Sequence, residues 1–196
     1  KKLIFVSSGG SIYGASENVI SEDSLKLPIS PHGIIKLTME YYLEYFKLKN
    51  KINYDILRVS NVYGEGQNTS KGLGLINTIL EKIRDNQEIH IYGDGTSLRN
   101  YIYVKDVAKA LTLSVNSNLS VSNTFNLASD DTLCINDILK IIRKKHKKHL
   151  NVKFLPARES DIHKIRINNK KFFSTYPDFK FIEISEGIKK TYDHLI

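Results

Sequence analysis

Residues 30–42 constrain the fold most, because they combine a helix start with two chemically active side chains on one helical face. Ser30 can cap a helix, and Pro31 in the first turn removes only an amide that would lack a partner. We therefore predict a helix from residue 31 to about residue 50. His32 and Lys36 stand four residues apart, so both side chains lie on the same face of that helix.

A short apolar run, residues 3–7, precedes this helix and is typical of a buried parallel strand because it contains β-branched and aromatic side chains. It ends in the cluster Ser7-Ser8-Gly9-Gly10-Ser11. In open α/β sheets ligands bind at the C-terminal ends of parallel strands, so the cluster stands where chemistry is expected. The two glycines alone are equally consistent with a tight turn.

Alternating strands and helices continue along the chain and predict the α/β class. Further strands are predicted at residues 53–59, 88–92 and 124–128, and further helices at residues 72–85, from Asp106 as the N-cap to residue 116, and from Ile135 onward. Much of the basic charge lies in residues 140–153. On the helix from Ile135 the isoleucines form the buried stripe, so we interpret the basic residues as its solvated face and end.

The composition is that of an ordinary globular domain, since 196 residues with 41% hydrophobic and 26% charged side chains can bury one good core. Lysine and arginine number 29 against 21 acidic residues, a formal net charge of +8. This excess favours anionic partners, and a phosphate-bearing small molecule and a nucleic acid both qualify. Because no zinc-finger or RNA-binding signature is recognisable, we expect no nucleic-acid partner.

A single cysteine, Cys134, can form neither an internal disulfide nor a metal cage, which fits a reducing compartment and predicts no metal site. No run is long or apolar enough to span a bilayer, and the first eight residues stop short of the apolar core of a signal peptide. We therefore expect a cytoplasmic protein without a membrane partner.

Four runs of sequence carry a resemblance to one enzyme family. They are Phe5-Val6-Ser7-Ser8-Gly9-Gly10-Ser11-Ile12-Tyr13-Gly14, the helix start with Lys36, Leu57-Arg58-Val59-Ser60-Asn61-Val62-Tyr63-Gly64, and Arg99-Asn100-Tyr101-Ile102-Tyr103-Val104-Lys105-Asp106-Val107-Ala108. With these runs the chain resembles the extended short-chain dehydrogenases/reductases of the NAD-dependent epimerase/dehydratase family, which contains UDP-glucose 4-epimerase. Three positions depart from the family pattern. His32 stands for the tyrosine of Tyr-x-x-x-Lys, Gly9 for the catalytic Ser/Thr, and Asn100 for an aspartate.

The resemblance implies a nucleotide-sugar substrate, most simply a UDP-hexose. Asn61 and Arg99 match residues that hold its phosphates, and the planar fork of an arginine suits bidentate phosphate binding. Arg158 would bind phosphate and Asp161 the ribose or base, although each alone is typical of a surface ion pair. The implied substrate-binding set is Asn61, His90, Tyr92, Arg99, Arg158 and Asp161.

The implied fold is the later part of a Rossmann-type parallel sheet with helices, plus a small mixed α/β substrate-binding subdomain. Residues 1–66 would complete the NAD-binding domain with the active-site helix, and residues 67–196 would mostly form the substrate subdomain, with 98–128 partly returning to the sheet. The Gly-x-x-Gly-x-x-Gly turn that seats the dinucleotide pyrophosphate is missing, and Gly72-Leu73-Gly74 does not replace it. We therefore expect a fragment, or a protein completed by another chain, that binds NAD poorly, if at all, in isolation.

The family chemistry passes a hydride from the C4 atom of the sugar to NAD and back to the other face, while a tyrosine takes the hydroxyl proton. Lys36 would hold the nicotinamide ribose, with Ser7 and Ser8 completing the cofactor contacts. His32 would act as the base, since an imidazole accepts a proton near neutral pH and a neighbouring positive charge favours its neutral form. Ser8 or Ser11 would hydrogen-bond the sugar oxygen.

Two hypotheses of different classes follow. In the first, the chain is the catalytic and substrate-binding part of an NAD-dependent UDP-sugar 4-epimerase, with His32 as an unusual base or a natural loss. In the second, it is a degenerate member that binds a sugar nucleotide without turnover. A dehydratase is a further alternative, but dehydratases carry Asp-Glu where this chain has Gly10 and Ser11, which favours an epimerase.

The predicted active-site helix is apolar on more than one side, through Tyr41, Leu43, Tyr45 and Phe46. Members of the resembled family often pair through such helices, so a homodimer through this helix is a possible assembly.

Overall fold

The computed structural model describes residues 2–50, 52–70, 73–117, 121–146, 150–157 and 164–196. The strands are β1 (Lys2–Ser8), β2 (Asn53–Val59), β3 (Asn61–Tyr63), β4 (Ile89–Tyr92), β5 (Arg99–Tyr103), β6 (Asn123–Leu127), β7 (Thr132–Leu133) and β8 (Val152–Leu155). The helices are α1 (Gly9–Ile12), α2 (Pro31–Asn50), α3 (Leu75–Arg84), α4 (Val104–Asn116), α5 (Ile135–His146), α6 (Lys170–Thr175) and α7 (Ile184–Leu195). The predicted α/β class is confirmed.

A three-stranded parallel sheet in the order β1-β2-β6 organises the first part of the chain. The middle strand, β2, is buried at every position after its first, as expected of a parallel strand covered on both faces. The register places Ser8 opposite Val59 at the C-terminal end of the two strands. The segments that follow them, including Asn61, therefore start from the same edge of the sheet.

Two smaller sheets complete the described part of the fold. In one, β3 and β5 pair in parallel with Asn61 opposite Tyr101, and β7 joins β5 in the antiparallel sense. In the other, β4 pairs in parallel with β8. Along β4 the side chains alternate, with Ile89 and Ile91 buried and His90 and Tyr92 exposed, because successive residues of a strand face opposite sides.

Apolar packing joins these layers in separate clusters. One lies between α3, α5 and α7 around Leu80, Ile142 and Ile188, which are fully buried. Another lies against β6, where the rings of Phe125 and Phe172 meet edge to face with centroids 5.8 Å apart. Edge-to-face contacts add to the free energy gained by burying the rings themselves.

The helix predicted from the Ser-Pro start is confirmed as α2. The hydroxyl of Ser30 accepts a hydrogen bond from the amide of Gly33 at 3.2 Å, which is the expected cap. Helix α5 starts at Ile135 as predicted, with Ile138 and Ile142 buried and its lysines and arginine exposed. The interpretation of these basic residues as a solvated helix face is therefore confirmed over the described part of α5.

Two predicted helix starts are wrong. Helix α3 begins at Leu75 rather than near residue 72, because Gly74 takes a left-handed conformation with φ of 82°. Leu73, which we expected inside the helix, is 65% exposed. Asp106 is not the N-cap of α4. It lies in the first turn of that helix, where its carboxylate accepts a hydrogen bond from the amide of Ile182 at 2.9 Å.

Candidate functional site

A cavity of about 520 Å³ lies where β3, β4 and β5 meet the first turns of α2 and α3. Five of the side chains singled out in the sequence line it: His32, Asn61, His90, Tyr92 and Arg99. Its volume is in the range of about 300–1,000 Å³ that is usual for small-molecule sites. The fold thus brings residues from four separate elements to one hollow.

Asn61 and Arg99 stand on neighbouring parallel strands at one wall of the cavity. The side-chain amide of Asn61 donates to the main-chain oxygen of Asn100 at 2.9 Å, and an amide nitrogen carries two protons. The Arg99 guanidinium donates to the main-chain oxygen of Leu98 at 2.8 Å. These bonds orient both side chains before any ligand arrives.

His90 and Tyr92 form a second wall, on the exposed side of β4. The imidazole of His90 lies 2.7 Å from a carboxylate oxygen of Glu88, which fixes the ring relative to the strand. Tyr92 is 41% exposed, and its aromatic side chain lines the cavity. This wall is suited to a planar group, whereas the Asn61 and Arg99 wall is suited to an anion.

His32 lines the cavity, but Lys36 does not, although both stand on one face of α2. The Lys36 ammonium donates to the main-chain oxygen of Val6 at 2.9 Å and lies over the ring of Phe5. Lys36 is therefore directed to the C-terminal end of β1.

None of the three serines of the Ser/Gly cluster lines the cavity. The hydroxyl of Ser7 donates to the Glu40 carboxylate at 2.5 Å and is buried. The hydroxyl oxygen of Ser11 is also buried and has no hydrogen-bond partner among the described residues, while Ser8 is half-buried. Ser8 and Ser11 thus keep hydroxyls that no hydrogen bond in the described part of the chain engages.

Gly9 has no room for a side chain. A Cβ atom there would lie 2.8 Å from the main-chain oxygen of Arg58 and 3.0 Å from a methyl carbon of Ile167. A Cβ at Gly10 would instead meet the side chain of Asn61 at an ordinary 3.7 Å. The glycine at position 9 therefore allows α1 to pack closely on the end of β2. It has a packing role of its own, besides lacking the hydroxyl of the family's Ser/Thr.

A buried polar network lies beneath the cluster and joins α2 to the sheet. Arg58, 4% exposed, donates to both carboxylate oxygens of Glu40, to the hydroxyl of Tyr13 at 2.7 Å and to the main-chain oxygen of Glu22 at 2.8 Å. Burial raises the pKa of Tyr13 to about 12, against the lowering effect of Arg58. The neutral phenol donates in turn to Asn126 at 2.6 Å.

Arg158 and Asp161 lie outside the described residues, so the structure places neither of them. The cavity is also lined by side chains that we did not single out in the sequence, among them Gln67, Ser97 and Tyr101. For Tyr101 a signal exists, since residues two apart on a strand share a face and Arg99 precedes it by two. Gln67 and Ser97 stand in irregular segments and carry no such signal.

The described residues contain neither a cluster of metal ligands nor a helix that could span a membrane. No three His, Cys, Asp or Glu side chains among them are grouped closely enough to hold a metal ion. None of the helices in the described part of the chain is both long and apolar enough to cross a membrane.

Comparison with known proteins assigns the chain to a family. The model of the NAD dependent epimerase/dehydratase family matches residues 1–128. The chain belongs to this family. The family contains sugar-nucleotide epimerases and dehydratases, and its membership confirms the resemblance seen in the sequence.

The proteins that are similar to this chain are named after different reactions. A putative UDP-glucose 4-epimerase from Methanocaldococcus jannaschii is 32% identical over 192 residues, covering 96% of this chain and 61% of that protein. A dTDP-4-dehydro-6-deoxyglucose reductase from Escherichia coli is 30% identical over 190 residues, covering 97% of this chain and 60% of that protein.

A solved structure confirms the Rossmann-type fold. UDP-N-acetylglucosamine 4-epimerase from Methanobrevibacter ruminantium M1, in complex with UDP-N-acetylmuramic acid, matches with a TM-score of 0.91 at 31% identity. The match covers 100% of this chain and 63% of that chain. This epimerase/dehydratase family member therefore spans about three fifths of the length of the relatives that it matches.

Two described residues of this family member, Lys36 and Ser8, lie at the end of β1 with donors that could hold a hydroxyl-bearing cofactor such as NAD. Lys36 lies at the end of β1 with one bond to Val6, and an ammonium has three N–H donors, so it retains donors for ligand hydroxyls. Ser8 is half-buried at the same strand end. Ser7 is engaged elsewhere, since its buried hydroxyl donates to Glu40.

Proposed function

We propose that the protein binds a UDP-hexose in the 520 Å³ cavity and interconverts it at C4 through a keto intermediate, with NAD as the cofactor. The observation that carries this proposal is the meeting of His32, Asn61, His90, Tyr92 and Arg99 around one hollow. The family itself is NAD dependent, and a relative at 32% identity is named as a putative UDP-glucose 4-epimerase.

The diphosphate is assigned to the wall formed by Asn61 and Arg99. A guanidinium meets phosphate oxygens with two parallel N–H bonds. The side-chain nitrogen of Asn61, on the neighbouring strand, carries a second proton besides the one bound by Asn100. The formal net charge of +8 further favours an anionic ligand. Arg158 and Asp161 are proposed to complete this end of the ligand.

The nucleoside is assigned to the wall formed by His90 and Tyr92. The exposed ring of Tyr92 can stack on a base, and the imidazole of His90 is held by Glu88. With the diphosphate and nucleoside so placed, the hexose extends along the cavity toward His32 at the start of α2.

In the proposed reaction His32 accepts the proton of the C4 hydroxyl and returns it to the epimer. NAD, when bound, supplies the site that takes the hydride and gives it back. Lys36 and Ser8 would hold its nicotinamide ribose from the end of β1. Ser8 or Ser11 is proposed to hydrogen-bond the sugar oxygen, since the hydroxyl of Ser7 is engaged by Glu40. Because neither serine lines the cavity, this bond requires the hexose to reach past the cavity lining toward the end of β1.

The proposal extends to a homodimer that pairs through α2. Tyr41, Tyr42 and Tyr45 on this helix are each more than half exposed, which is unusual for so many aromatic side chains on one helix.

Removing the guanidinium at the proposed phosphate wall should weaken UDP-glucose binding strongly. For Arg99→Ala we expect an affinity about 10–100-fold lower by titration calorimetry, because a charge-assisted bond contributes about 1.5–3 kcal/mol. The control is Arg84→Ala, which removes an arginine that is exposed and does not line the cavity. Equal affinity of the Arg99→Ala variant and the wild type would sink the phosphate assignment.

A second candidate function is binding without turnover, and three observations favour it. His32 replaces the family tyrosine, Lys36 is directed to Val6, and Gly9 leaves no room for the catalytic hydroxyl. A histidine nitrogen also reaches less far than a tyrosine oxygen, and proton transfer needs heavy atoms within about 3.2 Å or one bridging water.

Proton NMR of UDP-glucose incubated with the protein and NAD separates the two functions. If His32 is the base, the wild type produces a UDP-galactose signal. The rate at which this signal grows should be about 100-fold or more lower in His32→Ala, since a general base contributes about 10²–10⁴-fold to a rate. The wild type must first bind both UDP-glucose and NAD by calorimetry, because the sequence predicts weak NAD binding by this chain alone. Binding with no epimer signal supports the non-catalytic function and contradicts the role of His32 as a base.

A further inference from the structure

We infer that Gln67 is a specificity-determining residue that accepts a hydrogen bond from the C2 substituent of the bound hexose, an inference that rests on the proposed function. Gln67 lines the cavity, in the segment that follows β3. An acceptor at this place favours sugars that carry a hydroxyl or an amide N–H at C2 and disfavours sugars that carry neither.

The carboxamide of Gln67 is half engaged. Its nitrogen donates to the main-chain oxygen of Val62 at 3.1 Å. Its oxygen is buried and has no hydrogen-bond partner in the part of the chain that the structure describes. The main-chain oxygen of Val62 can only accept, so the nitrogen is assigned to that side and the oxygen is the atom left for another partner.

Gly74 makes room for this carboxamide beside the first turn of α3. It takes a left-handed conformation with φ of 82° and lines the cavity together with Leu75. A Cβ atom at position 74 would overlap the Gln67 side chain, lying 2.8 Å from its nitrogen and closer still to its oxygen. The carboxamide is therefore held between β3 and the start of α3, and both elements contribute to the cavity wall.

A donor on the ligand would satisfy the oxygen of Gln67. An amide oxygen that is kept from water without a donor is unfavourable, so a proton supplied by the ligand adds affinity. The oxygen is covered in this structure, and the side chain must turn toward the cavity to meet that donor. The last side-chain torsion of a glutamine has broad minima, so a rotation of this kind costs little.

The place of Gln67 beside the proposed phosphate wall selects C2 among the hydroxyls of the ligand. Val62, which the Gln67 amide bonds, directly follows Asn61, the residue assigned to the diphosphate. In a UDP-hexose C2 is bonded to the carbon that carries the diphosphate, so its hydroxyl is the nearest one to the phosphates along the covalent chain. The ionised diphosphate itself offers only acceptors and cannot satisfy another acceptor.

The test compares UDP-glucose with UDP-2-deoxy-2-fluoroglucose, in which a fluorine that donates no proton replaces the C2 hydroxyl. By titration calorimetry, we expect the wild type to bind UDP-glucose about tenfold more tightly, in line with one hydrogen bond to a buried acceptor. In Gln67→Met, which keeps the length of the side chain without its acceptor, this ratio should fall below about twofold. UDP alone, which lacks the hexose, should bind Gln67→Met and the wild type with affinities that agree within about twofold.

The matched control is Gln87→Met. Gln87 is an exposed glutamine that does not line the cavity, so this variant should keep the ratio of the wild type. If Gln67→Met also keeps that ratio, or if the wild type binds the two sugar nucleotides equally, Gln67 does not recognise C2 and the inference fails. An equal loss of affinity for UDP, UDP-glucose and the fluoro sugar in Gln67→Met would show that Gln67 only shapes the cavity, which also overturns the inference. If the wild type binds neither UDP nor UDP-glucose, the proposed function itself fails.

Discussion

Replacing Arg58 by methionine is expected to lower the free energy of unfolding by about 3–5 kcal/mol, because it leaves the Glu40 carboxylate buried without its cation. The pair is closed by a contact of 2.7 Å between side chains that are each 5% exposed. Ser7 would remain as a donor to Glu40, and one hydroxyl cannot offset the burial of a full charge. Urea unfolding monitored by circular dichroism measures the change.

A double-mutant cycle separates loss of the ion pair from loss of packing. Adding Glu40→Leu to Arg58→Met removes the unpaired charge, so we expect the double variant to be more stable than Arg58→Met alone. The control pair is Lys190 and Glu186, which are 2.8 Å apart but exposed, and Lys190→Met should leave the free energy of unfolding nearly unchanged because water screens the pair. An Arg58→Met effect as small as that of Lys190→Met would contradict the proposed importance of the buried network.

Gly33→Ala is expected to lower the stability of the protein and to displace the side chain of His32, the residue before it. A Cβ at this residue would lie 2.2 Å from the main-chain oxygen of Ser11 and 3.0 Å from the Cβ of Pro28. Because main-chain atoms cannot rotate away, the first turn of α2 must move off the loop. We expect a stability loss of about 1–3 kcal/mol from overpacking. If the protein turns over UDP-glucose, a displacement of about 1 Å at His32 should lower the rate by about 100-fold.

The matched control for Gly33→Ala is Gly10→Ala, in the same part of the fold. A methyl group at Gly10 meets only the side chain of Asn61, at 3.7 Å, which is an ordinary contact. Thermal unfolding of the two variants should therefore differ clearly, with Gly10→Ala close to the wild type. If both variants unfold at the wild-type temperature, the close approach of α2 to Ser11 does not constrain the position of His32.

Local sequence patterns were enough to predict two kinds of feature. These are the start of a helix and the alternation of buried and exposed side chains along a strand, because both depend on residues that are neighbours in the sequence. Helix α2 was predictable because Ser30 and Pro31 specify its first turn, and the cap to Gly33 is the one expected. The exposed positions of His90 and Tyr92 follow from the period of two along β4. The family motifs directed attention to Asn61 and Arg99, which line the same cavity.

Contacts between residues that are distant in the sequence could not be predicted from local patterns. Glu40 and Arg58 stand on different elements, and their pairing requires the final packing of α2 on β2. Position 9 requires a glycine because the main chain of Arg58 lies too close for a side chain. Helix α3 starts late because Gly74 takes a left-handed backbone conformation. The partners of Asn100 are loops that no periodicity brings to β5.

The most direct test of the proposed binding site is a crystal structure of the protein with UDP. We expect the diphosphate to contact the Arg99 guanidinium and the Asn61 amide, and the uracil ring to lie against Tyr92 and His90, within the cavity that these residues line. UDP bound on another surface, with Asn61 and Arg99 left without contact to phosphate, would contradict the account.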